Sequence, residues 1–201
     1  MLKDYERVLA DDILHYVAVT DHNSIARALK LRAQLGDRII VGEEIKTIGG
    51  EIIGLFLSET VKSGMSIAET IHAIKQQNGL VYVPHPFEKG RHGLSAEDME
   101  AHKNSFDIIE VFNGRGWGRG KSGTAIKFAA DNKIAMASSS DAHGKSGLGK
   151  AYTIITEPPT RDNLVEQLHH GELVMKYSSL GAYMHPTINR LRKRLCRKNH
   201  E

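Results

Sequence analysis

Val17-Ala18-Val19-Thr20-Asp21-His22 is a short apolar run that closes on a carboxylate and an imidazole, and the chain repeats the device three times. Ile39-Ile40-Val41-Gly42 ends in Glu43-Glu44, Leu80-Val81-Tyr82-Val83-Pro84 in His85, and Ile134 to Ser140 in Asp141-Ala142-His143. One polar residue after a strand is ordinary turn chemistry. His, Asp and Glu at the same end of successive strands would meet on one rim if those strands run parallel. Carboxylates and imidazoles gathered without cationic side chains repel one another and are poorly solvated, so the pattern implies a bound metal ion.

Between these runs the periodicity turns helical. Ser24 opens a stretch in which Ile25, Ala28, Leu29 and Leu35 share a face, and Gly36 follows as a stop. Ser66-Ile67-Ala68-Glu69 has the form of a capping box, with Ile67, Ile71 and Ile74 behind it. Further helices are expected at 96–104, at 122–132 with Ala125, Phe128 and Ala129 inward, and at 161–170. Strands are expected at 17–21, 38–45, 51–57, 80–85, 107–113, 134–140 and 151–156. Apolar strands alternating with amphipathic helices indicate a parallel sheet covered by helices, and ligands spread over so many strand ends favour a barrel.

The chain has 201 residues, 40% hydrophobic and 25% charged, which suits one globular domain near the lower size limit for a closed α/β barrel. No apolar stretch approaches the roughly 18 residues of a membrane span, and the start lacks an apolar leader, so the expectation is a cytoplasmic protein without a membrane partner. The single cysteine, Cys196, excludes an internal disulfide and a thiolate zinc site. Net charge is +3, but residues 190–201 carry six cations (Arg190, Arg192, Lys193, Arg194, Arg197, Lys198) against one acid, which leaves the rest slightly acidic. Residues 181–201 therefore read as a basic C-terminal helix or tail, with Ile188, Leu191 and Leu195 as a thin apolar stripe. Such a tail could touch nucleic acid, although a solvated end or a docking face is the commoner role.

Thr20-Asp21-His22-Asn23, Gly42-Glu43-Glu44-Ile45, Val83-Pro84-His85-Pro86, Ile109-Glu110-Val111-Phe112-Asn113 and Ser140-Asp141-Ala142-His143, followed by Leu148-Gly149 and Ala151-Tyr152, resemble the motifs of the PHP (polymerase and histidinol phosphatase) family. Order and approximate spacing match from about residue 15 to residue 156, and the stand-alone metal-dependent phosphoesterases of the family are more similar than its polymerase-embedded members. The resemblance implies a distorted, TIM-like (β/α)7 barrel over residues 1–180, up to three divalent metals (Zn, Mn or Fe) at the C-terminal rim, and hydrolysis of a phosphoester. Carried over residue by residue, it implies His22, Glu44, His85, Asp141 and His143 as metal ligands. Glu44 is preferred to Glu43 because the family's ligand stands just before the aliphatic residue, here Ile45. Glu51 falls where many relatives have histidine and is a further candidate ligand.

One departure is large. The family opens with a strand bearing His-x-His, well before its Thr-Asp-His motif, whereas Asp21 here lies near the N-terminus and His15, the sole upstream histidine, precedes its strand. The expected fold is thus a PHP-type barrel missing its first strand. Such a chain is either a fragment of a longer protein or a reduced domain with fewer metals, and its turnover alone should be weak or absent.

In a complete site, metals generate hydroxide from bound water and clamp the phosphoryl oxygens, so no protein nucleophile is required. Asp141 and His143 are the candidates for proton transfer, and Arg91 and Arg115 for holding a small phosphorylated metabolite or nucleotide. A non-catalytic relative that keeps a partial metal site, or an amidohydrolase-type C–N hydrolase, would use similar residues. Glu110, alternating with Ile108 and Phe112, points either into the barrel or to the surface. His169-His170 at a helix end suits the helix dipole better than a metal. Gly114 to Ser122 is one residue too long for a phosphate-binding P-loop, since Arg115 stands where glycine is needed and Gly114 comes one position too early, yet its basic, glycine-rich character leaves anion contact open.

Overall fold

A computed structural model describes residues 2–11, 13–116 and 121–178. Six strands, β1 (Val17–His22), β2 (Ile39–Lys46), β3 (Glu51–Leu55), β4 (Leu80–Val83), β5 (Ile108–Asn113) and β6 (Ala135–Ser139), form one sheet in sequence order. The sheet is a curled half-barrel and not a closed (β/α)7 barrel: β1 and β6 are its two edges. Within the described residues β1 pairs with β2 alone, and only a helix, α1 (Leu2–Ala10), precedes it.

The expected all-parallel order is broken once. β1–β2 and β4–β5–β6 are parallel, but β3 runs antiparallel to both of its neighbours. The cause is the Thr47–Gly50 turn, in which the Thr47 amide donates to the Gly50 carbonyl at 2.7 Å. A four-residue link permits a hairpin, whereas a parallel partner needs a crossover of a dozen residues or more. The start of β3 is thereby placed beside the end of β2, with Lys46 opposite Glu51.

The remaining helices are α2 (Ala26–Leu35), α3 (Ile67–Gln76), α4 (Ala96–His102), α5 (Ser122–Asp131) and α6 (Leu164–His169). The first five helices cover the outer face of the sheet, where Val8, Ala28, Leu31, Ile71, Ile74, Met99, Ala125 and Ala129 join Val19, Val41, Ile45, Val81, Val83 and Ile109 in one core. The capping box of α3 forms as expected: Glu69 N–H donates to Ser66 Oγ at 3.2 Å and Ser66 N–H to Glu69 Oε2 at 2.8 Å. In α2 the buried stripe is Ile25, Ala28 and Leu31, while Leu29, expected inward, is 44% exposed. The helix turns its three-residue spacing to the sheet, which carries Leu29 to the solvent side.

The inner face carries a second apolar cluster, Ile40, Ile53, Leu55, Leu80, Tyr82, Ile108, Ala135 and Ala137, against which α6 lays Leu164 and Leu168. The expected strand at 151–156 does not join the main sheet. It forms β7 (Tyr152–Ile154), which pairs antiparallel with β8 (Glu172–Val174). This pair is tied to β6 through Ser138 N–H to Thr153 Oγ1 at 3.0 Å and Ser138 Oγ to the Val174 carbonyl at 2.9 Å. No helix among the described residues is long and apolar enough to cross a membrane. The basic segment 181–201, with its apolar stripe and Cys196, and residues 117–120 of the glycine-rich loop lie outside the described residues.

Candidate metal centre

Side chains alternate along a strand, so the pairs Asp21-His22 and Glu43-Glu44 divide between the two faces of the sheet. Asp21 goes outward, where Arg27 Nε donates to its Oδ2 at 2.5 Å. Glu43 is fully buried on the outer face, accepts from Val61 N–H at 2.8 Å through Oε2, and has its pKa raised by burial. His22 and Glu44 are directly opposite in the β1–β2 register and turn to the cavity side. The choice of Glu44 over Glu43 therefore follows from strand phase.

Glu51 joins them because of the β2–β3 hairpin. His22 Nδ1 lies 3.6 Å from Glu44 Oε2 and 3.7 Å from Glu51 Oε1, and one ligand atom from each of the three residues fits within 4.8 Å of the others. His85 adjoins the group from β4: its Nε2 is 3.2 Å from Glu44 Oε1 and 3.8 Å from Glu51 Oε2. A tetrahedron with arms of about 2.1 Å has edges of about 3.4 Å, so the His22–Glu44–Glu51 separations suit ligands around one small cation, while His85 faces the other oxygen of each carboxylate and stands outside that three-residue group. Two further observations fit such an ion. Neither Glu44 nor Glu51 has an Arg or Lys partner among the described residues, and the ring nitrogen that His85 turns toward both carboxylates is Nε2. Burial and the adjacent Glu44 raise the pKa of Glu51. Burial disfavours the charged form of His85, but its hydrogen bond with Glu44 and the field of Glu110 outweigh this and raise its pKa.

The rim position of His85 depends on the loop that follows. Pro84 cannot donate to the ladder and ends β4, and His85 takes a left-handed conformation with φ +32°. The loop folds back through Phe87 N–H to the Leu94 carbonyl at 3.0 Å and Gly93 N–H to the Glu88 carbonyl at 3.1 Å. It also receives Glu51 N–H on the His92 carbonyl at 2.8 Å, locking the start of β3. Gly93 is obligatory for this path, since a Cβ there would stand 2.1 Å from the His85 carbonyl oxygen.

The other predicted residues form a second group on the same rim. Asp141, just past β6, is ion-paired with Arg91 and, at 3.3 Å, with Arg115, and His143 Nδ1 lies 3.2 Å from its Oδ1. Arg115 Nη1 also approaches His143 Nδ1 at 2.9 Å. Burial alone would raise the pKa of Asp141, but His143, Arg91 and Arg115 hold its carboxyl far below the ordinary range. The hydrogen bond to Asp141 raises the pKa of His143. The His22 and His143 rings, with centroids 6.3 Å apart, bring the two groups side by side. Both border a cavity of about 1320 Å³ that continues down the apolar inner face past Ile40, Ile53 and Tyr82.

Beneath the rim sits Glu110, turned inward and 3% exposed. Its burial raises its pKa. A β-bulge between Glu110 and Phe112 shifts the phase so that Asn113 also faces the site, donating to Glu110 Oε2 at 2.9 Å and approaching Asp141 Oδ2 at 3.4 Å. Alternation with Ile108 was the sequence signal for Glu110; nothing local announced the bulge.

A PHP-associated family profile matches residues 122–173, the span from α5 to β8. The fold is similar to a two-domain protein from Bacteroides vulgatus that contains a predicted PHP-like metal-dependent phosphoesterase, with a TM-score of 0.64 and 17% identity over 80% of this chain and 56% of that one. The chain is thus similar in fold to a PHP-like protein and carries a PHP-associated segment. Two uncharacterized proteins of Methanocaldococcus jannaschii are also similar to this chain. MJ1587 is 41% identical over 103 residues, 50% of this chain and 58% of its own length, and MJ0417 is 33% identical over 144 residues, 70% and 57%. The chain thus matches somewhat more than half the length of these relatives.

Proposed function

We propose that this chain is a PHP-family metal-dependent phosphoesterase acting on a small phosphorylated metabolite or nucleotide. The observation that carries the reading is the pairing of two buried carboxylates that lack basic partners, Glu44 and Glu51, with a neighbouring fork of two arginines. His22, Glu44, Glu51 and His85 would hold divalent metal, Zn, Mn or Fe; Asp141 and His143, ligands by family resemblance, border it. When bound, the metal supplies a hydroxide near neutral pH and Lewis-acid stabilisation of the phosphoryl oxygens. Arg91 and Arg115, held by Asp141, would orient those oxygens and neutralise their charge. His143, within hydrogen-bond reach of Asp141, would carry the proton to the leaving oxygen. The apolar wall below the rim would exclude water from one side of the reacting group. Nucleic acid as a further partner rests on the basic segment 181–201 alone.

One observation favours the non-catalytic alternative: Asp141 gives its carboxylate to two guanidinium groups rather than to the Glu44–Glu51 group. Elemental analysis of the purified chain, followed by a panel of phosphomonoesters and phosphodiesters and of cyclic amides, separates the readings. Bound metal with metal-dependent release of phosphate is expected. Stoichiometric metal without turnover would establish the binding-only alternative, amide hydrolysis the amidohydrolase one, and absence of metal affinity would end all three.

A further inference from the structure

The geometry points to Glu110 as a positioning residue that sets the metal-facing orientation of His85, an inference that rests on the metal-centre reading above. The Glu110 carboxylate accepts four hydrogen bonds, which fills both oxygens. Oε2 takes His85 N–H at 2.6 Å and Asn113 Nδ2 at 2.9 Å; Oε1 takes the Ser139 hydroxyl and Tyr82 Oη at 3.3 Å. The bond to His85 N–H falls on a residue whose φ of +32° is costly for any side chain with a Cβ. That conformation directs the ring back over the rim, where Nε2 meets Glu44. With Pro84 having ended the strand, the amide of His85 is beyond the β4–β5 ladder, and Glu110 is its acceptor. Asn113 extends the same oxygen's influence to Asp141 across the rim.

Manganese titration of the wild type and of Glu110→Ala, Glu110→Gln, His85→Ala and the His85→Ala/Glu110→Ala double variant tests this. Glu110→Ala should weaken Mn²⁺ binding by about 10 to 100 fold, the range seen when a residue supporting a metal ligand is lost. Glu110→Gln should recover affinity to within about threefold of wild type, because its amide oxygen still accepts from His85 N–H while its NH₂ donates to the reversible hydroxyls of Tyr82 and Ser139. The double variant should bind no more weakly than His85→Ala, since a residue acting through His85 has nothing left to act on. Losses that multiply in the double variant, or Glu110→Ala binding as tightly as wild type, would overturn the inference and leave the metal centre standing. A wild type that binds no Mn²⁺, Zn²⁺ or Fe²⁺ overturns the metal centre itself. If Glu110→Ala does not fold, Glu110→Asp replaces it: one methylene shorter, it keeps the charge but loses the reach to His85, and wild-type affinity there would refute the assignment.

Discussion

The two halves of the rim hold the same kinds of side chain and solve their electrostatics in opposite ways. On the β1–β4 side, Glu44 and Glu51 face each other across His22 and His85 with no guanidinium or ammonium partner among the described residues. On the β6 side, Asp141 is neutralised by Arg91 and Arg115. Burial raises the pKa of Glu51 in the first half, and the arginines and His143 overcome burial to depress that of Asp141 in the second. The first half is short of positive charge and suits a cation; the second has a surplus of donors and suits an anion. A phosphoryl group bound to a metal presents both needs at once.

The sharpest way to break this contrast is Glu44→Gln, which should lower divalent-cation affinity by more than about 100 fold in a calorimetric titration, since it removes the carboxylate between both histidines. Unchanged affinity would show that the cation does not sit in the β1–β4 half. Gly93→Ala comes next. With a Cβ 2.1 Å from the His85 carbonyl the loop must move, and denaturant unfolding should register a loss of about 1 to 3 kcal/mol, with weakened metal binding. A silent substitution would mean that the loop does not set the geometry of His85.

The third test exploits the opposite signs. Because the pKa of Glu51 is raised in the folded protein, its ionisation opposes folding at neutral pH, and Glu51→Gln should raise the melting temperature of the metal-free protein by about 2 to 4 °C while weakening metal binding. Asp141 is the converse case. Its folded-state pKa is depressed, so its stabilisation is complete above the ordinary carboxylate pKa and is lost as pH falls below it. Asp141→Asn should melt lower than wild type at neutral pH, and the gap should narrow below about pH 4. The smallest effect is expected on the anion side: Arg115→Gln should weaken inorganic phosphate binding by about tenfold, while Mn²⁺ affinity in the absence of phosphate stays within about threefold. A large fall in Mn²⁺ affinity there would merge the two halves into one site.

The recurrence of acids and imidazoles after apolar runs was legible because strand period and turn chemistry are local: His22, Glu44, His85 and His143 all stand where the rim lies. The period-2 argument also explains why Glu44 and not Glu43 faces the cavity. Closure of the barrel and uniform strand direction were not legible. A four-residue link read as a break between strands, when its geometry reverses β3 and carries Glu51 to the rim from the front end of its strand. Leu29 was misplaced for a similar reason, as its sequence spacing fits two helix phases and packing against the sheet selects one.

Taken alone, the order of residues determined which side chains end each strand, the α/β alternation and the family resemblance, because these rest on interactions a few positions apart. Tertiary structure decided their partners. Arg91 meets Asp141 across 50 positions of sequence, Glu110 reaches His85 across 25, and Glu51 stands against His85 by way of a hairpin and a loop. Such pairings depend on how the sheet curls and where a bulge or turn changes phase. Those features are set by the packing of the whole chain and not by any one stretch of it.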